Sequence, residues 1–228
     1  MLKTHIIHFR ELYRRKEYLN TVVKDAVWFD ELDRNTIAKE ILELYYKPNN
    51  KSEWVRRCDD LYKEVPPFRE QTPGDLCCSL SHVEAWRAFS CDDESDDWGL
   101  FLEDDAILCD NFYEVLDNIL QVIPECDAIF LGGGFPHTVA PTLNIRKAGK
   151  FQFIQKTHPA TNCLCAYMLN KKTALGMYNY LMRHKIVLPI DFEVNFMFRE
   201  LDTQVIHIDP MICREGSSVG VYSGSQER

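Results

Sequence analysis

The segment Trp98-Gly99-Leu100-Phe101-Leu102 is apolar along its whole length and stops abruptly at three consecutive acids, Glu103-Asp104-Asp105. Its length and flanks predict a buried strand. Three adjacent carboxylates at the end of such a strand raise one another's pKa and cost stability unless a cation or hydrogen-bond donors stand among them. In open α/β sheets ligands gather at the carboxyl ends of strands, which is where Glu103, Asp104 and Asp105 fall. One reading is a divalent metal, Mn2+ or Mg2+, held by one or two of these carboxylates and by the oxygens of a phosphate ligand. The other is a solvated acidic turn in which Asp105 caps the next helix.

The rest of the chain supplies partners for that strand. Thr4 to Phe9 reads as a first strand, followed by a basic helix through Tyr13-Arg14-Arg15-Lys16-Glu17-Tyr18-Leu19. Ile37, Ile41, Leu44 and Tyr45, then Trp54, Cys58, Leu61 and Tyr62, recur at helical spacing around the break Lys47-Pro48-Asn49-Asn50. After Thr72-Pro73-Gly74 a helix presents Leu80, Val83, Trp86 and Phe89, and Asp92 to Asp97 form a solvated loop. Beyond the acidic triplet come a helix bearing Phe112, Leu116 and Ile119, a strand Ala128 to Leu131, and Gly132-Gly133-Gly134, which allow close approach to the backbone. A long polar stretch then runs to about Thr161. A strand, Leu164 to Leu169, a helix with Ala174, Leu175, Tyr178 and Leu181, a helix opened by Pro189-Ile190-Asp191 and a strand Val205 to Ile208 complete the pattern. Successive strand-to-helix units imply an α/β fold with a mixed, mainly parallel sheet flanked by helices. One domain is expected over 1–212, with 213–228 as a Gly/Ser-rich mobile tail.

Composition narrows the function. Among 228 residues there are 35 acidic against 26 basic side chains, a net charge of −9, so a general nucleic-acid binder is excluded. No apolar run approaches the roughly 20 residues that span a bilayer. The start lacks the h-region of a signal peptide. Most of the nine cysteines lie in apolar or amphipathic stretches, with no Cys-x-x-Cys pair. That favours reduced thiols and a cytoplasmic location over a disulfide or zinc framework.

Five segments, in order, resemble one family. Thr72-Pro73-Gly74-Asp75-Leu76-Cys77-Cys78-Ser79-Leu80-Ser81-His82-Val83-Glu84-Ala85-Trp86 is similar to the T-P-G-E-I-G-C-A-L-S-H-L-x-x-W signature of glycosyltransferase family 25. Leu100 to Ala106 resembles its L-x-L-E-D-D-A/V strand end, and Cys126 to Gly132 its W-D-I-x-x-L-G. Ala166 to Ala174 resembles A-Y-x-I-S-x-x-G-A, and Leu188-Pro189-Ile190-Asp191 resembles x-P-V-D. The opening departs from the family's I-N-L-D-R: Ile7-His8-Phe9-Arg10 stands there, although the basic pair Arg14-Arg15 is kept. Cys77 replaces a usual glycine, and the part after Pro210 matches loosely.

The resemblance implies a single Rossmann-like domain of GT-A type, with a nucleotide-sugar half over 1–135 and an acceptor half over 160–212. It implies an inverting, metal-dependent transferase moving galactose or glucose from a UDP-sugar to a hydroxyl of a glycan or glycoprotein. On that footing Asp105, shared with Glu103 or Asp104, holds Mn2+ or Mg2+, and His207 is a candidate third ligand from a late strand. Asp191 is the candidate base for the acceptor hydroxyl, against the alternative of a plain helix cap. Arg14, Arg15, Ser81 and His82, with Glu103 and Asp104, are the candidates for donor binding. A surface basic helix and a hydrogen-bonded core histidine are the competing readings for the arginines and His82. The other function classes weighed are a catalytically inactive binding domain of the same fold and a metal-dependent phosphohydrolase. Oligomeric state is left open by the sequence.

Overall fold

Successive side chains of a strand point to opposite faces, and three strands here use both faces for apolar burial. In β3 (Trp98–Glu103), Leu100 and Leu102 enter one core and Phe101 the other. In β5 (Ala128–Gly132), Ile129 and Leu131 are divided in the same way from Ala128 and Phe130. In β8 (Ala166–Asn170), Ala166 and Met168 oppose Tyr167 and Leu169. A sheet with two apolar faces must be covered twice, and it is.

The computed structural model describes residues 2–48, 50–62, 67–133 and 142–222. Among these, β3, β5 and β8 join β1 (Thr4–Ile7), β2 (Ala26–Phe29), β4 (Ala106–Leu108), β6 (Thr142–Ala148), β7 (Phe151–Lys156), β9 (Val205–Asp209) and β10 (Cys213–Glu215) in one sheet. The order is β2-β1-β3-β8-β5-β9-β7-β6, with β10 beside β5 and β4 beside β10. Pairing directions put β1, β2, β3, β5, β6, β9 and β10 one way, and β4, β7 and β8 against them. The expected mixed, mainly parallel sheet flanked by helices is present.

Helices α3 (Lys51–Asp59), α4 (Pro73–Ser90), α6 (Lys171–His184) and α7 (Ile190–Glu200) cover the face carrying Phe101, Phe130 and Tyr167. Helix α5 (Phe112–Leu120) covers the other face with Phe112, Leu116 and Ile119. The remaining helices are α1 (Tyr13–Val22) and α2 (Lys39–Tyr45). The start of α4 is set by a capping box: Thr72 Oγ1 accepts from the Asp75 amide, and the Asp75 carboxylate accepts from the Thr72 amide. Pro73 takes the first helical position. No helix among the described residues is long and apolar enough to cross a membrane. All nine cysteines are free thiols.

Three expectations change. The polar stretch before Thr161 contains the β6–β7 hairpin, turned at Gly149 with φ +58°. Strand β6 is the sheet's free edge and almost wholly exposed, so it carries no buried pattern to read. The first strand ends at Ile7 rather than Phe9, and the short, half-exposed β2 was not expected. The segment from 213, expected as a tail, belongs to the sheet instead. Cys213 pairs with Gly132 of β5, and Glu215 pairs with Ala106 of β4. Residues 216–222 then fold back over Asp105, since Gly216 N donates to its carbonyl at 2.8 Å. Gly134 and residues 223–228 lie outside the described residues.

Gly132 is the tight point of this arrangement, because a Cβ there would collide with the backbone carbonyl of Cys213. Gly132→Ala should destabilise the protein by about 1–3 kcal/mol, as overpacked sites do. It should also open the buried Cys213 to thiol reagents. Urea unfolding with thiol labelling under native conditions checks both outcomes.

Candidate active site

Parallel pairing of β1 and β3 sets Ile7 opposite Glu103, so the residues that follow each strand meet. Asp104 is the point of contact. His8 Nδ1 lies 2.9 Å from its Oδ2, the Phe9 amide donates to the same oxygen at 3.0 Å, and Arg15 Nη1 donates to Oδ1 at 2.6 Å. Both carboxylate oxygens are thus engaged. Asp104, expected as a metal or donor ligand, lines the cavity described below and is also the acceptor that ties β1 and α1 to the end of β3. Arg15 is buried in this contact. Arg14, one step of about 100° round the helix, is exposed beside the Tyr13 ring and does not reach the cavity.

Glu103, Asp105, Asp191 and Glu215 all line one cavity of about 610 Å³. Asp105 Oδ2 accepts from the Ser217 amide at 3.3 Å, whereas its Oδ1 is buried with no hydrogen-bond partner among the described residues. Asp191 lies in the first turn of α7, whose cap is Pro189, and its Oδ1 is likewise buried without a partner. Neither acid is a helix cap, since the helix after Asp105 begins only at Phe112, behind Asn111. Glu193 braces the entry to α7: its buried carboxylate pairs with Arg57 and accepts from the amides of Val187 and Leu188 at 3.2 and 2.9 Å.

These carboxylates strain against one another. Burial, then the charges of Asp105 and Glu215, lift the Glu103 pKa well above its ordinary range. Asp105 is raised by burial and by Glu215 and Asp104, against the Ser217 hydrogen bond and Arg15. Asp191 is pushed up to about 8 by burial and then by Glu103. Arg15 opposes the rise at Glu103 and Asp105 but is itself bonded to Asp104. A set of carboxylate oxygens with a buried, unpartnered lone pair at Asp105 suits a hard dication such as Mn2+ or Mg2+.

The other expected residues divide. Ser81 lines the cavity wall. His82 stands behind Glu103, with Nε2 3.2 Å from Glu103 Oε1 and Nδ1 2.8 Å from the Tyr167 hydroxyl. Trp86 Nε1 donates to that hydroxyl at 2.9 Å, so the hydroxyl hydrogen is free to bond Nδ1, which leaves the His82 proton on Nε2, facing Glu103. Burial holds the His82 pKa down, at about 4. His207 is a correction. It pairs with Phe130 across β5 and β9, stacks on that ring at 4.9 Å, and its Nε2–H donates to the Ala160 carbonyl at 2.7 Å, outside the cavity. Strand alternation turns its side chain into the core. The late acidic group that does reach the cavity is Glu215, which sequence reasoning missed, as it missed Ser217 and His8. Only His8 carried a signal, as the departure that follows the first strand.

The profile of glycosyltransferase family 25 (LPS biosynthesis protein) matches residues 1–194. No curated protein matches significantly. Several solved structures are similar. A 4-diphosphocytidyl-2C-methyl-D-erythritol synthase from Anaerococcus prevotii shares 12% identity, covering 92% of this chain and 88% of that one at a TM-score of 0.40. Mannose-1-phosphate geranyltransferase from Thermus thermophilus shares 11%, covering 91% and 73%, at 0.35. Mouse xyloside xylosyltransferase 1, in its apo form, shares 9%, covering 88% and 69%, at 0.36.

The electrostatics set a pH dependence. Folded Asp191 keeps its proton up to about pH 8, while the unfolded chain releases it near 3.8, so the folded state holds more protons in between and loses stability as pH rises. His5 and His82, both lowered from 6.5 to about 4, act in the opposite direction, but only below pH 6.5. In chelator, the urea midpoint should therefore fall from pH 6.5 to 8, and Asp191→Asn should flatten that slope.

Proposed function

Because the chain belongs to glycosyltransferase family 25, and its mixed, mainly parallel sheet is flanked by helices, we propose the specific reaction. It moves a hexose, galactose or glucose, from a UDP-sugar to a hydroxyl of a glycan or glycoprotein acceptor, with inversion at the anomeric carbon and with a divalent metal. The observation that carries this reading is the convergence of Glu103, Asp105 and Glu215 on a cavity that also holds Asp191.

Asp105, with Glu103 and Glu215, would hold the Mn2+ or Mg2+ ion. When bound, such an ion supplies charge neutralisation to a departing diphosphate. The protein's own groups prepare for it. The amides of Gly216 and Ser217 fix Asp105 through its carbonyl and Oδ2, and so leave Oδ1 turned to no protein donor. The clamp of Arg15, His8 and the Phe9 amide on Asp104 holds the turn between its neighbours. Asp191 is the base in this reading. Burial and the Glu103 charge raise its proton affinity above that of an ordinary carboxylate, which makes it the stronger base once it is deprotonated.

Thermal unfolding with UDP, with Mn2+ and with both tests the proposal. The pair together should stabilise the protein more than either alone, by mass action on the folded state. UDP release across a panel of UDP-sugars should then identify the donor. Asp105→Ala should reduce turnover by roughly 100-fold or more, the equivalent of losing several kcal/mol of charge stabilisation. Absence of any shift with nucleotide, or full turnover in that variant, would overturn the reading.

A further inference from the structure

Cys78 and His82 are four residues apart on α4 and therefore share a helix face. That face meets the end of β3. The Cys78 Sγ lies 3.9 Å from Glu103 Oε1, His82 Nε2 lies 3.2 Å from the same oxygen, and the three ligand atoms all fall within 4.8 Å of one another. In a tetrahedral zinc site with bonds of 2.0–2.3 Å, ligand atoms stand roughly 3.4–3.6 Å apart. The three side chains are thus already near the spacing that an ion of this kind requires.

We propose that Cys78, His82 and Glu103 form a site for a borderline-soft divalent ion, zinc by its chemistry, on the back wall of the cavity. One thiolate, one imidazole and one carboxylate make a donor set that suits zinc better than manganese or magnesium, which prefer oxygen throughout. The site is supported from behind. The Tyr167 hydroxyl, fixed by Trp86, holds the His82 ring so that Nε2 faces Glu103. It is also accessible, because Cys78 and Glu103 line the cavity. A water molecule takes the fourth position.

Binding balances simply. The Cys78 thiol gives its proton to solvent, the imidazole passes to its Nδ1–H tautomer, whose N–H donates to the Tyr167 oxygen, and the Tyr167 O–H turns away from Nδ1. Zinc and a hard metal at Asp105 then compete for Glu103. The site shares Glu103 with the proposed transfer centre, but its test reads zinc binding rather than turnover, so the two readings can fail separately.

The test uses the chelator-treated full chain titrated with Co2+ and with Zn2+. We expect one equivalent of Co2+ to give a thiolate-to-cobalt charge-transfer band that Zn2+ abolishes. X-ray absorption of the zinc form should show one sulfur near 2.3 Å and imidazole scattering. Cys78→Ser should weaken zinc binding by roughly 100-fold and abolish the band, while Asp105→Asn should retain it. Cys91→Ser, which removes an exposed thiol, serves as control. The wild-type absorption data decide the matter even where Cys78→Ser fails to fold. A shell of oxygen and nitrogen alone, two or more sulfurs, no binding at micromolar zinc, or an unchanged affinity in a folded Cys78→Ser protein overturns the proposal.

Discussion

Asp104 receives a guanidinium, an imidazole nitrogen and a backbone amide at 2.6–3.0 Å, and the geometry of the whole cavity follows from that. Asp104 stands in the turn that joins β3 to β4, so its engagement with β1 and α1 fixes that turn and, with it, the positions of Glu103 and Asp105 on either side. Removing one partner from a buried ion pair commonly costs about 3–5 kcal/mol, so the fold has a strong reason to keep this orientation. The pair is structural, and its consequence is electrostatic.

The cavity collects residues from several distant stretches, among them the ends of β1 and β3, the start of α4, the first turn of α7, and β10. Parallel pairing brings the first two together by aligning strand ends. Helix α7 is set by the buried Glu193 contacts to Arg57 and to the amides of Val187 and Leu188. Strand β10 is placed by two partners at once, β4 and β5. Each device is ordinary packing or hydrogen bonding. Together they confine several carboxylates in a space where each raises the proton affinity of another, a cost the rest of the fold must offset.

Much of this was legible in the chain. An apolar run ending in acids announces a central strand with chemistry at its end, and Asp191 was visible through the proline before it. What escaped has physical causes. Strand β6 is an exposed edge, so it never shows burial in its pattern. The roles of Arg14 and Arg15 differ by one helical step, which residue type does not encode. His207 is a plausible ligand by type, yet its place in β9 turns it onto Phe130. Glu215 is separated from Asp105 by more than a hundred residues in a segment rich in glycine and serine, and only the β4–β10 pairing reveals that they are neighbours.

That pairing also orders events during synthesis. Most of the sheet, from β1 to β9, precedes residue 210, and chains fold broadly from the N-terminal end as they emerge. The strand bearing Glu215, and the turn whose amides grip Asp105, come last. Ile212 and Cys213 of that late segment are buried in the same core as Leu131. The acidic pocket cannot assemble until this segment has packed, so completion of the core and binding competence arrive together.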